Sequence, residues 1–268
     1  MIHKAKKSLG QNFLKSKGAL HSMITAGDVN KKDIVLEIGP GKGALTEKLI
    51  EAGASVIAVE KDYLLVEFLK EKFAKEIKNK KLILIQGDVL EFDISNHIKR
   101  GDTYKLIANI PYNITGAIFK KFLSLEEKFG GQPKVIVLLV QKEVAERIVA
   151  RDKKESILSI SVKAYGNPKY ITKVSKKYFS PSPKVDSAII QITNISKINF
   201  KNKKQEDLFF QILKTGFAHK RKVLIKNLED VLEKEIIAKM FEDLNISNKA
   251  RAENLSVLDW INIAQWDK

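Results

Sequence analysis

The stretch Ile34 to Gly43 reads IVLEIGPGKG, an apolar run that stops at a glycine-rich turn and leads into residues with good helix propensity from Ala44. A buried strand followed by such a turn and a helix is the opening unit of a nucleotide-type βα fold. The same alternation continues on the C-terminal side. Short apolar runs at Ser55 to Val59, Leu82 to Gln86, Leu106 to Ile110 and Val135 to Val140 predict four more strands. Amphipathic stretches at about Ala44 to Ala52, Tyr63 to Ile77, Thr115 to Lys128 and Lys142 to Val149 predict the helices between them. Strands that read as continuous apolar runs suit a parallel sheet covered on both faces. Two further strands are expected near Tyr170 to Ser175 and Ser187 to Thr193, flanking the proline-bearing loop Phe179 to Lys184. A polar linker begins at Asn194, and from Glu206 the apolar spacing is helical (Leu208, Phe209, Ile212, Leu213, Phe217). The expected organisation is a Rossmann-like domain over residues 1–193 and a small all-α domain over 194–268.

Composition narrows the chemistry. The 268 residues include no cysteine and four histidines that lie far apart, which argues against disulfides, thiolate metal sites, cysteine nucleophiles and metal catalysis. No apolar run approaches the roughly 18 residues of a membrane span, so a cytoplasmic protein is expected, with no membrane and no metal as partners and a monomeric state. The net charge of +16 is unevenly placed. Residues 1–32 carry +6, residues 33–150 only +1, residues 151–227 +13 and residues 228–268 −4. A near-neutral core between basic segments suits a polyanionic partner, whereas lysine used merely for solvation would be spread evenly.

The residues Asn109, Ile110, Pro111 and Tyr112 follow the fourth predicted strand and suggest a site for an exocyclic amine. The lone pair of a nucleobase amine is delocalised into the ring, and two hydrogen-bond acceptors can draw it toward tetrahedral geometry. The Asn109 side-chain oxygen is one such acceptor, and the Ile110 carbonyl is another, since Pro111 pushes Ile110 toward an extended conformation. Tyr112 offers a ring face for a flipped base. An ordinary strand-to-loop turn uses the same residue types. Glu60 stands 21 residues after Gly39, where a carboxylate accepts hydrogen bonds from ribose hydroxyls, and this holds for NAD and S-adenosylmethionine alike. Asp88, in the turn after the third strand, is an acceptor for a cofactor adenine or else a turn aspartate. A nicotinamide oxidoreductase on this sheet would lack a placed general acid.

Taken together, Gln11 to Leu14, Leu36 to Gly41, Glu60, Gly87 with Asp88, Asn109 to Tyr112, Phe179 to Ser187, Phe217 with Lys220 to Lys222, and Arg251 to Ser256 resemble the class I methyltransferases that dimethylate adenine in ribosomal RNA. The resemblance covers nearly the whole chain. It implies a seven-stranded, mostly parallel sheet with a small helical C-terminal domain, and S-adenosylmethionine as cofactor. Gly39, Gly41, Glu60, Lys61, Asp88 and Val89 would then hold the cofactor, with Asn12 and Leu14 closing over its methionine end and Asn109 beside the transferable methyl. Lys7 to Gly10, Asp186 and the segment Arg251 to Val257 are similar to the KsgA-type branch, which acts on small-subunit (16S) rRNA. Ile110 in place of the more usual Leu also occurs in the large-subunit (23S) branch associated with macrolide resistance. An assembly factor retaining the fold without activity is a third reading, which the intact Asn109 to Tyr112 motif opposes.

Dimethylation adds a demand, because after one transfer the amine keeps a single N–H. Phe179 is the expected partner for the far face of the base, opposite Tyr112. Phosphate contacts are expected at Lys4, Lys6, Lys7, Lys176, Lys177, Lys184, Lys220, Arg221 and Lys222.

Overall fold

The computed structural model describes Lys6 and residues 9–99 and 101–266. By its internal contacts the chain divides into two units, one running to Ala145 and resuming at Pro168–Ile195, the other comprising Glu146–Asn167 and the residues from Ser196 onward. The third crossing, after Ile195, lies two residues beyond the expected boundary between 193 and 194. The segment Glu146–Asn167, expected with the catalytic part, groups with the helical unit.

The first unit carries the sheet. Its elements in chain order are β1 (Phe13–Leu14), α1 (Lys17–Ala26), β2 (Ile34–Ile38), α2 (Ala44–Glu51), β3 (Ser55–Glu60), α3 (Tyr63–Lys72), α4 (Ala74–Lys78), β4 (Leu82–Gln86), β5 (Tyr104–Asn109), α5 (Thr115–Leu123) and β6 (Val135–Gln141). After α6 (Lys142–Ile148) and α7 (Ile157–Lys163), the sheet is completed by β7 (Asn167–Val174) and β9 (Ser187–Thr193), with β8 (Phe179–Ser180) between them. Seven strands form one sheet in the order β4-β3-β2-β5-β6-β9-β7. The pairs β4/β3, β3/β2, β2/β5 and β5/β6 are parallel, and β9 runs antiparallel to β6. Val35, Leu36, Leu106, Ile107, Val137, Leu138 and Leu139 are fully buried, as continuous apolar strands covered on both faces must be.

The predicted strands all form, with ends shifted by up to three residues. The helix expected over Tyr63 to Ile77 is interrupted at Phe73, whose φ of −112° and ψ of 29° leave helical geometry. That over Thr115 to Lys128 ends at Leu123. The helix α1 and two further features were not among the expected elements. The two-residue strands β1 and β8 pair antiparallel with each other, and α7 begins at a capping box in which Ser156 and Ser159 exchange hydrogen bonds.

These strands all run parallel, but the chain adds β3 and β4 on one side of β2 and β5 and β6 on the other, so a crevice opens beyond their carboxyl ends where the strand order reverses. Gly43, at the head of α2, has φ of +76°, and a Cβ there would come within 2.5 Å of the Phe73 ring. Its missing side chain lets the head of α2 pack closely against Leu69 and Phe73.

The second unit contains α7 and, in order, α8 (Lys203–Gly216), α9 (Leu224–Leu228), α10 (Lys234–Asp243) and α11 (Val257–Gln265). Trp260 is fully buried and stacks on Phe217 at 5.5 Å between ring centroids. Asn227, also fully buried, donates to the carbonyls of Gly216 and His219 and so shapes the loop that carries Lys220 to Lys222.

Candidate active site

A cavity of about 220 Å³ lies at the carboxyl ends of β2, β3 and β5 and beside the turn after β4. Every residue expected to hold a cofactor borders it: Asn12, Leu14, Gly39, Gly41, Glu60, Lys61, Asp88, Val89 and Asn109. Ile110, Pro111 and Tyr112 border it as well. Parallel strands place their last residues on one edge of the sheet, which is why motifs separated by 20 to 50 residues of chain converge.

Glu60, the last residue of β3, is 5% exposed and is held on both oxygens by backbone amides, Gly41 N at 3.1 Å and Asp62 N at 2.9 Å. Burial raises its pKa, and these amides oppose the rise. Each carboxylate oxygen keeps lone-pair capacity for a ribose hydroxyl. Gly41 has φ of +58°, and a Cβ there would sit 2.9 Å from the Phe13 ring, so the turn and the N-terminal segment touch through a glycine. Lys61 pairs with Asp88 at 2.8 Å, which holds the Asp88 carboxyl below its usual range. The other Asp88 oxygen accepts from Leu90 N at 2.9 Å, as a turn aspartate would, while the residue still borders the cavity.

Asn109 ends β5. Its Nδ2 donates to the Asn12 carbonyl at 3.1 Å, which leaves Oδ1 without a donor among the described residues. Pro111 has φ of −58° and ψ of 132°, and the chain turns at Tyr112–Ile114 into α5. The Tyr112 hydroxyl is 2.7 Å from Ser187 Oγ at the start of β9, and Ser187 is fully buried. Burial raises the Tyr112 pKa, so the ring carries a neutral phenol fixed at its outer end.

Phe179 is placed differently from the rest of its set. It is 4% exposed, lies opposite Leu14 in the β1/β8 pair, packs in the core with Val174 and Ile189, and does not border the cavity. Among the expected phosphate ligands, Lys176, Lys177 and Lys184 are exposed on the loop between β7 and β9, and Lys220, Arg221 and Lys222 are exposed on the loop after α8. Lys6 is paired with Asp62 at 2.8 Å. Lys4 and Lys7 lie outside the described residues.

Sequence reasoning did not single out Glu37, Asp62 or Ser187. Glu37 borders the cavity at 1% exposure and accepts from the Thr46 hydroxyl at 2.7 Å. Its place inside LEIG made it look like part of the motif rather than a separate buried acid.

The cavity fits a nucleoside cofactor on its own geometry. A Cβ added at Gly39 or Gly87 would meet nothing within 4 Å, so backbone at two points faces open space, with a buried carboxylate between two glycine turns. Fold and site together define a class I, Rossmann-like methyltransferase. A family model described as ribosomal RNA adenine dimethylase matches residues 2–268, and the chain belongs to that family. It is 40% identical over 259 residues to the ribosomal RNA small subunit methyltransferase A of Dehalococcoides mccartyi, covering 96% of this chain and 86% of the relative. Among solved structures it is similar to a dimethyladenosine transferase from Plasmodium falciparum, with a TM-score of 0.79 and 28% identity, covering 94% of this chain and 95% of that one. The 23S rRNA methyltransferase ErmE shares the fold, with a TM-score of 0.75 at 20% identity, covering 95% of this chain and 98% of that one. The protein is therefore an rRNA adenine dimethyltransferase that uses S-adenosylmethionine.

Proposed function

We propose that the enzyme converts two adjacent adenines near the 3′ end of small-subunit (16S) rRNA to N6,N6-dimethyladenine, acting in the cytoplasm as a monomer without a metal, and so takes part in small-subunit biogenesis. The observation that carries the reaction is the fixed Asn109 amide. With Nδ2 committed to the Asn12 carbonyl, Oδ1 is the atom left to accept an N–H from the target amine. The small-subunit target is supported by the name of the Dehalococcoides mccartyi relative and by the residues that resemble the small-subunit branch.

S-adenosylmethionine, when bound, supplies an electrophilic methyl group. Glu60 holds the ribose side, and Asp88 with Val89 the adenine side. Asn109 Oδ1 and the Ile110 carbonyl accept the amine hydrogens and draw the lone pair out of conjugation, while Tyr112 stacks on the target base. No general base is needed, because the amine loses its proton as or after it attacks. Catalysis rests on positioning and on acceptors already aimed at developing positive charge.

Labelled methyl transfer to undermethylated small subunits, with free rRNA and large subunits in parallel, tests this reading. Transfer confined to two neighbouring small-subunit adenines is expected. Unmodified small-subunit adenines with modified large subunits would favour the large-subunit alternative.

A further inference from the structure

Asp62 follows Glu60 and Lys61 at the end of β3. Its side chain is fully buried, yet the residue does not border the cavity. A buried carboxylate persists only where donors replace water. Burial acts to raise its pKa, but the donors hold it below the usual carboxylate range. One donor is local, Leu64 N at 3.1 Å, as expected of the residue capping α3. Two more come from the N-terminal segment: Lys6 Nζ at 2.8 Å and Gln11 Nε2 at 3.0 Å, from 56 and 51 positions earlier. Gln11 also accepts from Lys6 N at 2.8 Å, which ties the two donors to each other.

The same segment lines the cavity from Leu9 to Leu14. Beyond Gln11 it meets Asn109 through the Asn12 carbonyl and then pairs with β8. It therefore spans the cavity from the end of β3 to the end of β5. Asp62 N also donates to Glu60 Oε1, whose partner oxygen takes Gly41 N, so one hydrogen-bonded path joins this segment to the carboxylate and the glycine turn.

We propose that Asp62 is a positioning residue that latches the N-terminal segment over the bound cofactor, so that opening of the Lys6–Asp62–Gln11 contact sets how fast the spent nucleoside thioether leaves. The inference rests on reading the cavity as the S-adenosylmethionine site. Each methyl transfer spends one cofactor, so the latch opens between the two transfers an adenine receives.

The test measures dissociation of S-adenosylhomocysteine by stopped-flow competition in the full-length protein. Asp62→Asn keeps an oxygen for the Leu64 amide, and Lys6→Met removes the partner at an exposed position. Lys15→Met removes a charge from the same segment outside the latch. Asp62→Asn and Lys6→Met should each speed dissociation about tenfold, the double variant should be no faster than the quicker single one, and Lys15→Met should match wild type. The thermal midpoint of the unliganded Lys6→Met variant should stay within about 2 °C of wild type, which separates latching from general support of the fold. Unchanged dissociation in Lys6→Met, full additivity in the double variant, or an equal effect of Lys15→Met would overturn the latch alone. A wild-type protein that binds no S-adenosylhomocysteine would overturn the cofactor reading together with the latch.

Discussion

The side-chain nitrogen of Asn109 donates to the backbone carbonyl of Asn12 at 3.1 Å, joining the last residue of β5 to a segment 97 positions earlier. This contact fixes the amide with Oδ1 as the end left to accept, which is the acceptor the proposed mechanism uses. Asn109→Ala removes the acceptor and the tie together. Methyl transfer should fall by at least about 100-fold, as when one aligned polar group is removed from a transition-state site. Cofactor Kd should stay within roughly tenfold, about 1.4 kcal/mol. Labelled transfer and calorimetric titration check the two halves, and retained dimethylation would show the acceptor geometry to be wrong.

Tyr112 and Ser187 test whether ring orientation matters. Their hydroxyls are 2.7 Å apart, and Ser187 is fully buried. Tyr112→Phe and Ser187→Ala should each lower transfer by a few fold, equivalent to about 1 kcal/mol for one neutral hydrogen bond. The double variant should be no worse than the single ones, because both lose the same bond. Tyr112→Ala, which removes the ring, should be far more severe in a single-turnover assay.

Glu60→Ala should show the opposite pattern to Asn109→Ala. Removing the carboxylate takes away an acceptor for the ribose and leaves the Gly41 and Asp62 amides without theirs. Hydrogen bonds to charged groups contribute about 1.5–3 kcal/mol, so cofactor Kd should rise roughly 10- to 100-fold. The rate at saturating cofactor should change less, and titration beside steady-state kinetics separates the two effects.

Glu37 gives the protein a stability that depends on pH. Burial lifts its carboxyl from an ordinary 4.5 to about 8, despite the opposing hydrogen bond from Thr46. Between those values the folded protein holds more protons than the unfolded chain. The contribution of the protonated group is complete below the unfolded pKa and is lost as pH rises through the folded one, with a slope of at most about 1.4 kcal/mol per pH unit. Glu37→Gln removes this titration and keeps an acceptor for Thr46. Its thermal midpoint relative to wild type should climb steadily from about pH 5 to about pH 8.5, as followed by scanning fluorimetry. A pH-independent difference would rule the titration out.

The loop Lys220, Arg221, Lys222 is exposed and held in shape by Asn227. If its charges meet phosphate, replacing all three with Gln should weaken rRNA binding. The slope of log K against log salt should then become shallower by about 2 to 3. Cofactor titration should be unaffected. An unchanged salt slope would place the footprint elsewhere.

Much of the sheet was legible because its signals are local. Apolar runs of four to seven residues marked β2 to β6, and the turn Gly39 to Gly43, Glu60, Asp88 and Asn109 to Tyr112 each sit at the end of such a run. Helix ends were less legible, since Phe73 breaks α3 from α4 with an apolar residue that periodicity cannot distinguish from its neighbours. Phe179 shows the limit for the site. As one aromatic in a proline-rich loop it had the right chemistry for stacking, yet it is buried opposite Leu14 because two short segments, each too short for a strand signature, pair with each other. Lys6, expected as a phosphate contact, is paired with Asp62, a partner that local sequence could not show because it lies 56 positions away.

Contiguous residues determined the class of fold, the glycine-rich turn and the presence of an amide acceptor, Asn109, at the end of β5, since all three depend on propensities and functional groups carried within a few positions. Only the tertiary structure decided that Asn12 turns the Asn109 amide, that Ser187 anchors Tyr112, that Asp62 holds the N-terminal segment and that Phe179 is covered. A hydrogen bond needs its partners within about 3 Å. Strand order and burial, not chain proximity, bring donors and acceptors to that distance across 51 to 97 residues.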